Sequence, residues 1–218
     1  MKDVAELAGV SSTTVSFVIN QTPNTNIPAE TQERVWEAVR ELKYRPNVMA
    51  RGLRVQKTHT IGFISDEVAT TPFAGRMLQG AQELAWEHNY LLLLINTGGN
   101  QAVKKAAVET LLDRQVDGII YATMYHRVVH PPKTIREVPT VLLDCYVEDQ
   151  SLPSVVPDEV RGGREATMHL ISKGHRRIGY IGDSAPVAAE RLRRQGYREA
   201  LQAAGLVYDP DMTGVGET

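Results

Sequence analysis

Two apolar triplets separated by a glycine limit the fold of the N-terminus more than any other feature of the sequence. Gly9 can adopt the positive φ that ends a helix, and Ser11 and Ser12 are favoured N-caps for a following helix. Two short helices across a tight glycine-containing turn form a helix-turn-helix. The triplets, both at the i, i+3, i+4 spacing of one helix face, are Val4, Leu7 and Ala8, and Val15, Val18 and Ile19.

The second predicted helix turns Ser12, Thr13, Ser16 and Phe17 outward. Short hydroxyl side chains suit both phosphate oxygens and base edges. An exposed Phe17 is unusual on a plain protein surface, but it suits contact with a thymine methyl group. The pattern therefore favours DNA binding, although a helical hairpin without a DNA role has the same spacing.

A third helix is predicted to begin at Pro28 and to end near Lys43. It has acidic residues in its first turns and basic residues in its last, which complements the helix macrodipole. The three helices together predict a compact all-α head over residues 1–45. A domain of this size has little core, so we expect its stability to depend on its partners.

Residues 46–59 are predicted to be a hinge helix and linker. Six of the eight Lys and Arg residues in the first 60 positions lie between 40 and 57, and Arg51 is one of them. Leu53 is apolar in a segment with little else to pack against, and a helix of about two turns does not persist alone in water. The segment is either a plain linker or one that folds on DNA and inserts Leu53 into the minor groove.

From residue 60 the pattern changes to alternating strands and helices. This alternation predicts a parallel sheet with helices on both faces over residues 60–218. The predicted strands are 60–64, 90–95, 118–121, 140–143, 155–156 and 177–181, and the predicted helices are 73–88, 103–112, 159–172 and 188–204.

Ligands of such sheets bind beyond the carboxyl ends of the strands. Asp66 and Asp144 follow or end predicted strands, Phe73 opens a helix, and Arg191 and Arg193 open another. A carboxylate, an aromatic ring and an arginine in one cleft suit a hydroxyl-rich small molecule such as a sugar. Each residue taken alone is also compatible with a surface charge or a core aromatic.

The composition excludes several other classes of protein. The net charge is −2, 42% of the residues are hydrophobic, and no apolar run approaches the roughly 20 residues of a membrane span. A single cysteine, Cys145, forbids an internal disulfide, so the cytoplasm is the expected compartment and no membrane partner is expected.

The sequence lacks the common catalytic motifs and has one pair of histidines at metal-ligand spacing. No phosphate loop, nucleophile elbow or dinucleotide glycine motif is present, so we expect no enzyme and no cofactor. His126 and His130 have metal-ligand spacing but lack the glutamate of a zinc protease. Pro131 and Pro132 follow directly, so this stretch is predicted to be a loop without a metal ion.

The chain resembles transcription regulators of the lactose-repressor (LacI/GalR) family. The resemblance extends over nearly the whole chain, and its most specific part is the head. The matching stretches are DVAELAGVS (3–11), TVSFVIN (14–20), ETQERV (30–35), YRPN (44–47), ARGLR (50–54), TIG (60–62), VDG (116–118), HLISKGHRRI (169–178) and RRQGY (193–197).

This resemblance implies roles for individual residues of the head and hinge. Leu53 matches the leucine that opens the minor groove at the operator centre. The family works as homodimers or tetramers on near-palindromic double-stranded sites. Base reading is implied for Ser12, Thr13 and Phe17, and phosphate contacts for Ser11, Thr14, Ser16 and Asn20.

The resemblance also implies a body like a periplasmic sugar-binding protein, with an effector in the cleft between two subdomains at about 60–156 and 157–218. Phe73, Asp144 and Arg193 match effector-contacting positions. The resulting prediction is a repressor whose operator affinity is controlled by a small molecule, and a sugar or sugar derivative is the expected effector. The alternative is a solute-binding sensor module without regulatory DNA binding.

Three departures from the family pattern qualify these expectations. Phe17 stands where many members have a polar base reader, so guanine contact by that residue is lost. Gly52 replaces a common serine and is expected to make the hinge helix more dependent on DNA. The family continues beyond the position of Thr218, so we expect a C-terminally truncated chain whose second subdomain is incomplete.

Overall fold

The structure is a computed structural model that describes residues 1–44, 57–66, 72–184 and 187–216, without the side chains of 72 and 73. The predicted hinge residues Arg51 and Leu53 lie outside the described residues, as does the side chain of Phe73. The chain divides into two compact units, Met1–Thr58 and His59–Thr218.

The first unit contains α1 (Lys2–Ala8), α2 (Ser12–Ile19) and α3 (Ala29–Glu41). Gly9 ends α1 with φ 63°, and its N–H bonds back to the helix. Ser11 caps α2 by accepting a hydrogen bond from the Thr14 N–H at 3.1 Å. The predicted turn chemistry of the helix-turn-helix is therefore present.

The core of this unit differs from the predicted triplets at one position. Val4, Val15 and Val35 are fully buried, one from each helix. Leu7, however, is 49% exposed, and Ala5 occupies the buried face of α1 beside Val4. Ala5 lies one turn before Gly9, and its small side chain lets the helices approach closely.

The second unit begins with a five-stranded sheet in the order β2-β1-β3-β4-β5, in which every pairing is parallel. Its strands are β1 (Thr60–Ser65), β2 (Leu91–Asn96), β3 (Gly118–Val128), β4 (Thr140–Tyr146) and β5 (Ser154–Val155). Its helices are α4 (Pro72–Glu87), α5 (Gln101–Asp113) and the 3₁₀ turn Lys133–Glu137.

Helices cover both faces of this sheet, as alternating strands and helices predict. Successive residues of β1 point to opposite faces. Phe63 packs with Leu78 of α4, whereas Ile64 joins the cluster that contains Val108 and Leu111 of α5. The two apolar clusters thus lie on opposite sides of one sheet.

A second, smaller sheet pairs β6 (Tyr180–Asp183) with β7 (Thr213–Gly216) in parallel. It accompanies α6 (Glu159–Ser172) and α7 (Ala188–Ala203), and a 3₁₀ turn, Pro210–Met212, precedes β7. A Cβ on Gly163 would overlap the carbonyl of Arg193, and one on Gly196 would overlap that of Val160. The backbones of α6 and α7 therefore touch at these two glycines.

Several predicted boundaries were wrong. Strand β3 continues to Val128 and includes His126, which was predicted to lie in a loop. Strand β6 begins at Tyr180 rather than 177, and β7 was not predicted. Among the described residues, no helix combines the length and apolar character of a membrane span.

Candidate functional site

The beginning of α2 holds two of the hydroxyl groups to which the resemblance assigns phosphate contacts. The Oγ atom of Ser11 and the Oγ1 atom of Thr14 are 2.9 Å apart and hydrogen-bonded to each other. Because Ser11 also caps the helix, its side chain is held in one orientation. A fixed hydroxyl loses little conformational entropy when it accepts a new partner.

The end of α2 holds the other two residues with implied phosphate contacts, Ser16 and Asn20. The Asn20 side-chain Nδ2 donates to the carbonyl oxygen of Ser16 at 2.7 Å and lies 3.2 Å from Ser16 Oγ. These bonds fix the amide against the last turn. The four predicted phosphate-contacting residues are thus placed in two bonded pairs, one at each end of the helix.

The predicted base readers lie between these pairs. Ser12 and Thr13 are exposed in the first turn of α2, and Phe17 is half-exposed one turn later. Thr13 and Phe17 are four residues apart, so they are neighbours on the helix surface. Within residues 1–44, the face combines two hydroxyls that have no hydrogen-bond partner with one aromatic ring.

The second unit contains a cleft of about 310 Å³. It lies where β3, β4 and β6 meet the beginnings of α6 and α7. Its lining residues are Met124, Tyr125, His126, Asp144, Glu159, Tyr180, Ile181, Gly182, Asp183, Val187, Ala189, Glu190 and Arg193.

A bulge between β3 and β4 builds one wall of the cleft. Ala122 pairs with Leu143 and Arg127 with Cys145, so β3 has four residues opposite Asp144 alone. Thr123 Oγ1 holds the bulge together, since it lies 2.8 Å and 3.0 Å from the carbonyl oxygens of Tyr125 and Asp144. Bulges commonly redirect side chains beside functional sites, and this one directs His126 to the cleft.

Asp144 is the most constrained residue in the cleft. It has φ 56°, which is uncommon for a non-glycine residue, and its side chain is almost completely buried at 3% exposed. Its Oδ1 atom has no hydrogen-bond partner among the described residues. Burial first, and then the negative charge of Glu159, raise the pKa of Asp144 to about 6, while Arg193 opposes the rise.

Arg193 enters the same cleft through a bidentate ion pair. Its Nε lies 2.5 Å from Oε2 of Glu159 and its Nη2 lies 2.9 Å from Oε1. Glu159 begins α6 and is 6% exposed, whereas Arg193 is exposed. The hydrogen bond to Glu159 raises the pKa of Arg193 further, so this guanidinium is charged and partly accessible to a ligand.

His126 adds a second unsatisfied polar atom. Its ring packs edge-on against Tyr146 at 5.3 Å between centroids, and its Nδ1 is buried without a hydrogen-bond partner among the described residues. Burial lowers the pKa of His126. A neutral imidazole can donate from one nitrogen and accept at the other.

Glu190 organises the opposite wall. It accepts hydrogen bonds from the Tyr180 hydroxyl at 2.7 Å and the Asp183 N–H at 3.3 Å, and it pairs with Arg194 at 2.6 Å. A Cβ on Gly182 would overlap its carboxylate, so the close approach requires glycine there. Burial and this hydrogen bond raise the pKa of Tyr180, which remains neutral.

The predicted effector residues do not all meet in this cleft. Asp144 and Arg193 do, whereas Arg191 lines an adjoining groove. Asp66 accepts from the Met124 N–H at 2.9 Å and forms an ion pair with Arg127, so it supports the wall of the cleft.

Four residues of the cleft were not predicted as ligand contacts, namely His126, Glu159, Tyr180 and Glu190. Glu159 follows the carboxyl end of β5 after three intervening residues, so the strand-end rule contained a signal for it, whereas Tyr180 is at the opposite, amino end of β6. His126 depends on the bulge in β3, for which the sequence gives no comparable signal.

The cleft offers hydrogen bonds and charge more readily than nucleophilic or metal chemistry. Cys145 is buried, its Sγ donates to the carbonyl of Tyr121, and burial raises its pKa to about 12. In the described part of the chain, no group of three or more His, Cys, Asp or Glu residues could hold a metal ion. The arrangement therefore suits reversible binding of a polar small molecule.

A helix-turn-helix unit followed by a parallel α/β unit with a polar cleft defines a class of ligand-responsive DNA-binding regulators. Residues 1–47 match the family model described as bacterial regulatory proteins of the lacI family. Residues 58–218 match the model described as periplasmic binding proteins and the sugar binding domain of the LacI family. The chain belongs to the LacI family.

Relatives and solved structures agree with this membership. The ribose operon repressor of Escherichia coli strain K12 is 37% identical over 94% of this chain and 62% of its own length. The repressor PurR of Aliivibrio salmonicida is 34% identical over 97% and 63%. A crystal structure of the lac repressor dimer bound to operator and an anti-inducer has a TM-score of 0.74 at 27% identity, covering 99% of this chain and 64% of that one. The chain thus spans less than two thirds of the length of these proteins.

Proposed function

We propose that this protein is a transcription repressor that binds double-stranded operator DNA through α2. Its affinity for the operator is controlled by a small effector. One observation carries the proposal. The chain joins a helix-turn-helix with a prepared polar face to a cleft whose buried Asp144 carboxylate has no partner for Oδ1 among the described residues. Its homologues are transcriptional regulators rather than enzymes.

The DNA-binding part of the proposal is supported by the polar groups of α2. Hydroxyl and amide side chains at both ends of a recognition helix suit the two phosphate backbones that border the major groove. Ser11 with Thr14, and Ser16 with Asn20, have those positions. The relatives named above are repressors, and one solved neighbour is bound to an operator.

The effector proposed for the cleft is an uncharged, polyhydroxylated molecule such as a sugar. Four acids line the cleft, namely Asp144, Glu159, Asp183 and Glu190, and Arg193 and Arg194 pair with two of them, so the lining keeps a net negative charge. This balance disfavours a phosphorylated or carboxylated ligand by like-charge repulsion. Hydroxyl groups, in contrast, can donate to the Asp144 carboxylate and accept from the Arg193 guanidinium.

The proposed assembly is a homodimer that forms through α4 and the edge strand β2. Trp86 on α4 is 72% exposed, and Leu84, Leu91 and Leu94 are exposed on the same two elements. An edge strand with apolar side chains is a site for pairing with another chain. A second copy of this chain satisfies that edge and supplies the two-fold symmetry that a near-palindromic operator requires.

Control of DNA binding is proposed to act through the placement of the two heads. An effector that binds one conformation of the body more tightly shifts the population by no more than its difference in affinity. If the heads separate, the helix predicted for the hinge is expected to unfold, operator affinity falls and transcription resumes. The motive for this mechanism is the short basic segment around Leu53.

The proposal is tested by selecting bound duplexes from a random DNA library and measuring their affinity across a salt series. We expect an enriched inverted repeat and a decrease in affinity with salt that reflects several phosphate contacts. Neutral sugars added to the enriched complex are expected to change its affinity, and sugar phosphates are not. Binding without any enriched sequence would contradict operator recognition.

Leu53→Ala tests the hinge separately. Loss of both inserted leucines of the proposed dimer is expected to weaken specific binding by about a hundredfold, since burying each such side chain contributes roughly 1.5 kcal/mol or more. Binding to random DNA, which depends on phosphates, should be unchanged. Equal weakening of both would contradict insertion of Leu53 between base pairs.

A further inference from the structure

The recognition face of α2 carries no charge. The helix sequence STTVSFVI contains neither an acid nor a base, and Val15 and Val18 are turned into the core of the head. The outward residues are therefore Ser12, Thr13, Ser16 and Phe17. Bidentate reading of guanine requires arginine or lysine, and bidentate reading of adenine requires asparagine or glutamine.

Several polar groups of this helix are already occupied within the head. Ser11 and Thr14 bond to each other, and Asn20 donates to the Ser16 carbonyl. Within residues 1–44, the hydroxyls of Ser12 and Thr13 have no hydrogen-bond partner. The groups left for reading bases are thus two short hydroxyls and the Phe17 ring.

Phe17 is not explained by packing inside the head. The core consists of Val4, Ala5, Ala8, Val15, Val18, Val35 and Ala38, and the half-buried residues packed against it include Ile19, Trp36 and Tyr44. In the described head, Phe17 belongs to neither set, although it is an aromatic residue and half-exposed. The Phe17 ring therefore stands on the outer face of α2 beside Thr13, where it can contact a partner.

We propose that Phe17 reads its half-site through the C5 methyl group of thymine, and that this methyl replaces the hydrogen-bonded base contact expected from a polar residue at that position. The inference rests on the proposed function, since it requires α2 to lie in the major groove. The thymine methyl is the one apolar group that an unmodified base pair presents there. The neighbouring Thr13 hydroxyl supplies a polar contact to an adjacent base edge.

The test uses the enriched operator duplex and the full chain, and it replaces each thymine in turn by deoxyuridine. This change removes the methyl group and keeps every hydrogen bond of the base pair. One position in each half-site should lose affinity by about fourfold, the contribution of burying one methyl group. Replacing both symmetric positions should reduce affinity by about fifteenfold in a dimer.

The protein side of the test uses Phe17→Ala and Phe17→Leu. Phe17→Ala should bind thymine and deoxyuridine operators equally at that position, because the ring that contacts the methyl is gone. Phe17→Leu keeps an apolar side chain and should retain at least part of the thymine preference. The helical circular dichroism of Phe17→Leu checks that the head still folds when the ring is replaced.

Two results overturn the inference in distinguishable ways. An enriched operator in which no deoxyuridine position changes affinity contradicts methyl reading and leaves the repressor proposal intact. A thymine preference that persists unchanged in Phe17→Ala also contradicts methyl reading by Phe17 and leaves the repressor proposal intact. Failure to enrich any sequence contradicts the repressor proposal itself, and the inference falls with it.

Discussion

The head and the cleft differ in whether their polar side chains have hydrogen-bond partners in the absence of a ligand. In the head, Ser11 bonds to Thr14 and Asn20 bonds to Ser16, so these groups are satisfied without DNA. In the cleft, Asp144 Oδ1 and His126 Nδ1 are buried and have no partner among the described residues. The predicted phosphate-contacting groups of α2 are thus bonded before DNA arrives, whereas two buried groups of the cleft are not.

This contrast indicates two energetic strategies. A surface satisfied by its own bonds binds with little reorganisation, and DNA adds charge and contact area to a face that is already ordered. A buried carboxylate without a full set of partners costs stability that a ligand can recover. A ligand in the cleft is therefore expected to satisfy groups that the unliganded body leaves without partners, whereas DNA adds contacts to groups of α2 that are already bonded.

The largest expected effect comes from Gly196→Ala. The new Cβ overlaps the carbonyl of Val160, which is backbone and cannot rotate away, so the body should lose about 3 kcal/mol of stability. Hydrogen exchange should accelerate in α6 and α7 and stay unchanged in α1–α3. Gly162→Ala is the control, because its Cβ meets open space and should stabilise α6 by about 0.5 kcal/mol. Equal destabilisation by both variants would contradict the close contact.

Asp144→Asn is the direct test of the unsatisfied carboxylate. Loss of the charge-assisted hydrogen bond should weaken sugar binding by roughly tenfold or more. The unliganded body should become more stable, since asparagine tolerates the positive φ and carries no buried charge. Calorimetry and urea unfolding measure the two changes, with the exposed Asp113→Asn as control. Unchanged sugar affinity together with lower stability would make Asp144 a structural residue.

A change of pH between 4 and 7 is expected to alter the stability and sugar affinity of the body but not the stability of the head. The folded pKa of Asp144, about 6, is above its ordinary value of 3.8, so the folded chain binds more protons between these values. Stability of the unliganded body should therefore decrease as pH rises from 4 to 6. Sugar affinity should fall as pH drops below 6, by roughly tenfold at pH 5, because the protonated carboxyl accepts hydroxyl donors less well. A calorimetric pH series on the wild type should show both trends, and one on Asp144→Asn should show neither.

The smallest expected effect is on the head. Ser11→Ala removes the cap of α2 and its bond to Thr14, which should cost about 1 kcal/mol of head stability. Ser12→Ala, one residue along, removes an exposed hydroxyl that caps nothing and should change stability by less than about 0.5 kcal/mol. Thermal unfolding followed in α1–α3 compares them. Equal losses of stability in the two variants would contradict a stabilising role for the hydrogen bonds of Ser11.

The sequence was most informative where local chemistry decides the structure. Gly9 and Ser11 predict the turn of the helix-turn-helix because a positive φ and a helix cap are properties of single residues. Leu7 was misplaced because burial depends on the neighbouring helices, and the small Ala5 fits closer to them. Spacing alone cannot distinguish two apolar residues on adjacent parts of a helix.

The cleft was predicted only in part for a related reason. Asp144 and Arg193 follow from the rule that ligands bind beyond strand ends. His126 reaches the cleft through four residues that bulge out of β3, and such a bulge depends on pairing with a distant strand. Arg191 is two residues from Arg193, but the turn of α7 separates their directions by about half a circle.

The glycine contact between α6 and α7 has a mechanical consequence. Glu159 and Arg193 stand on different helices, yet their helices touch backbone to backbone and leave no side chain between them to deform. Helix α6 has 14 residues, so it extends about 21 Å from the cleft. A ligand that moves the backbone of α7 at Arg193 would therefore also displace α6, and the two helices would shift as one body.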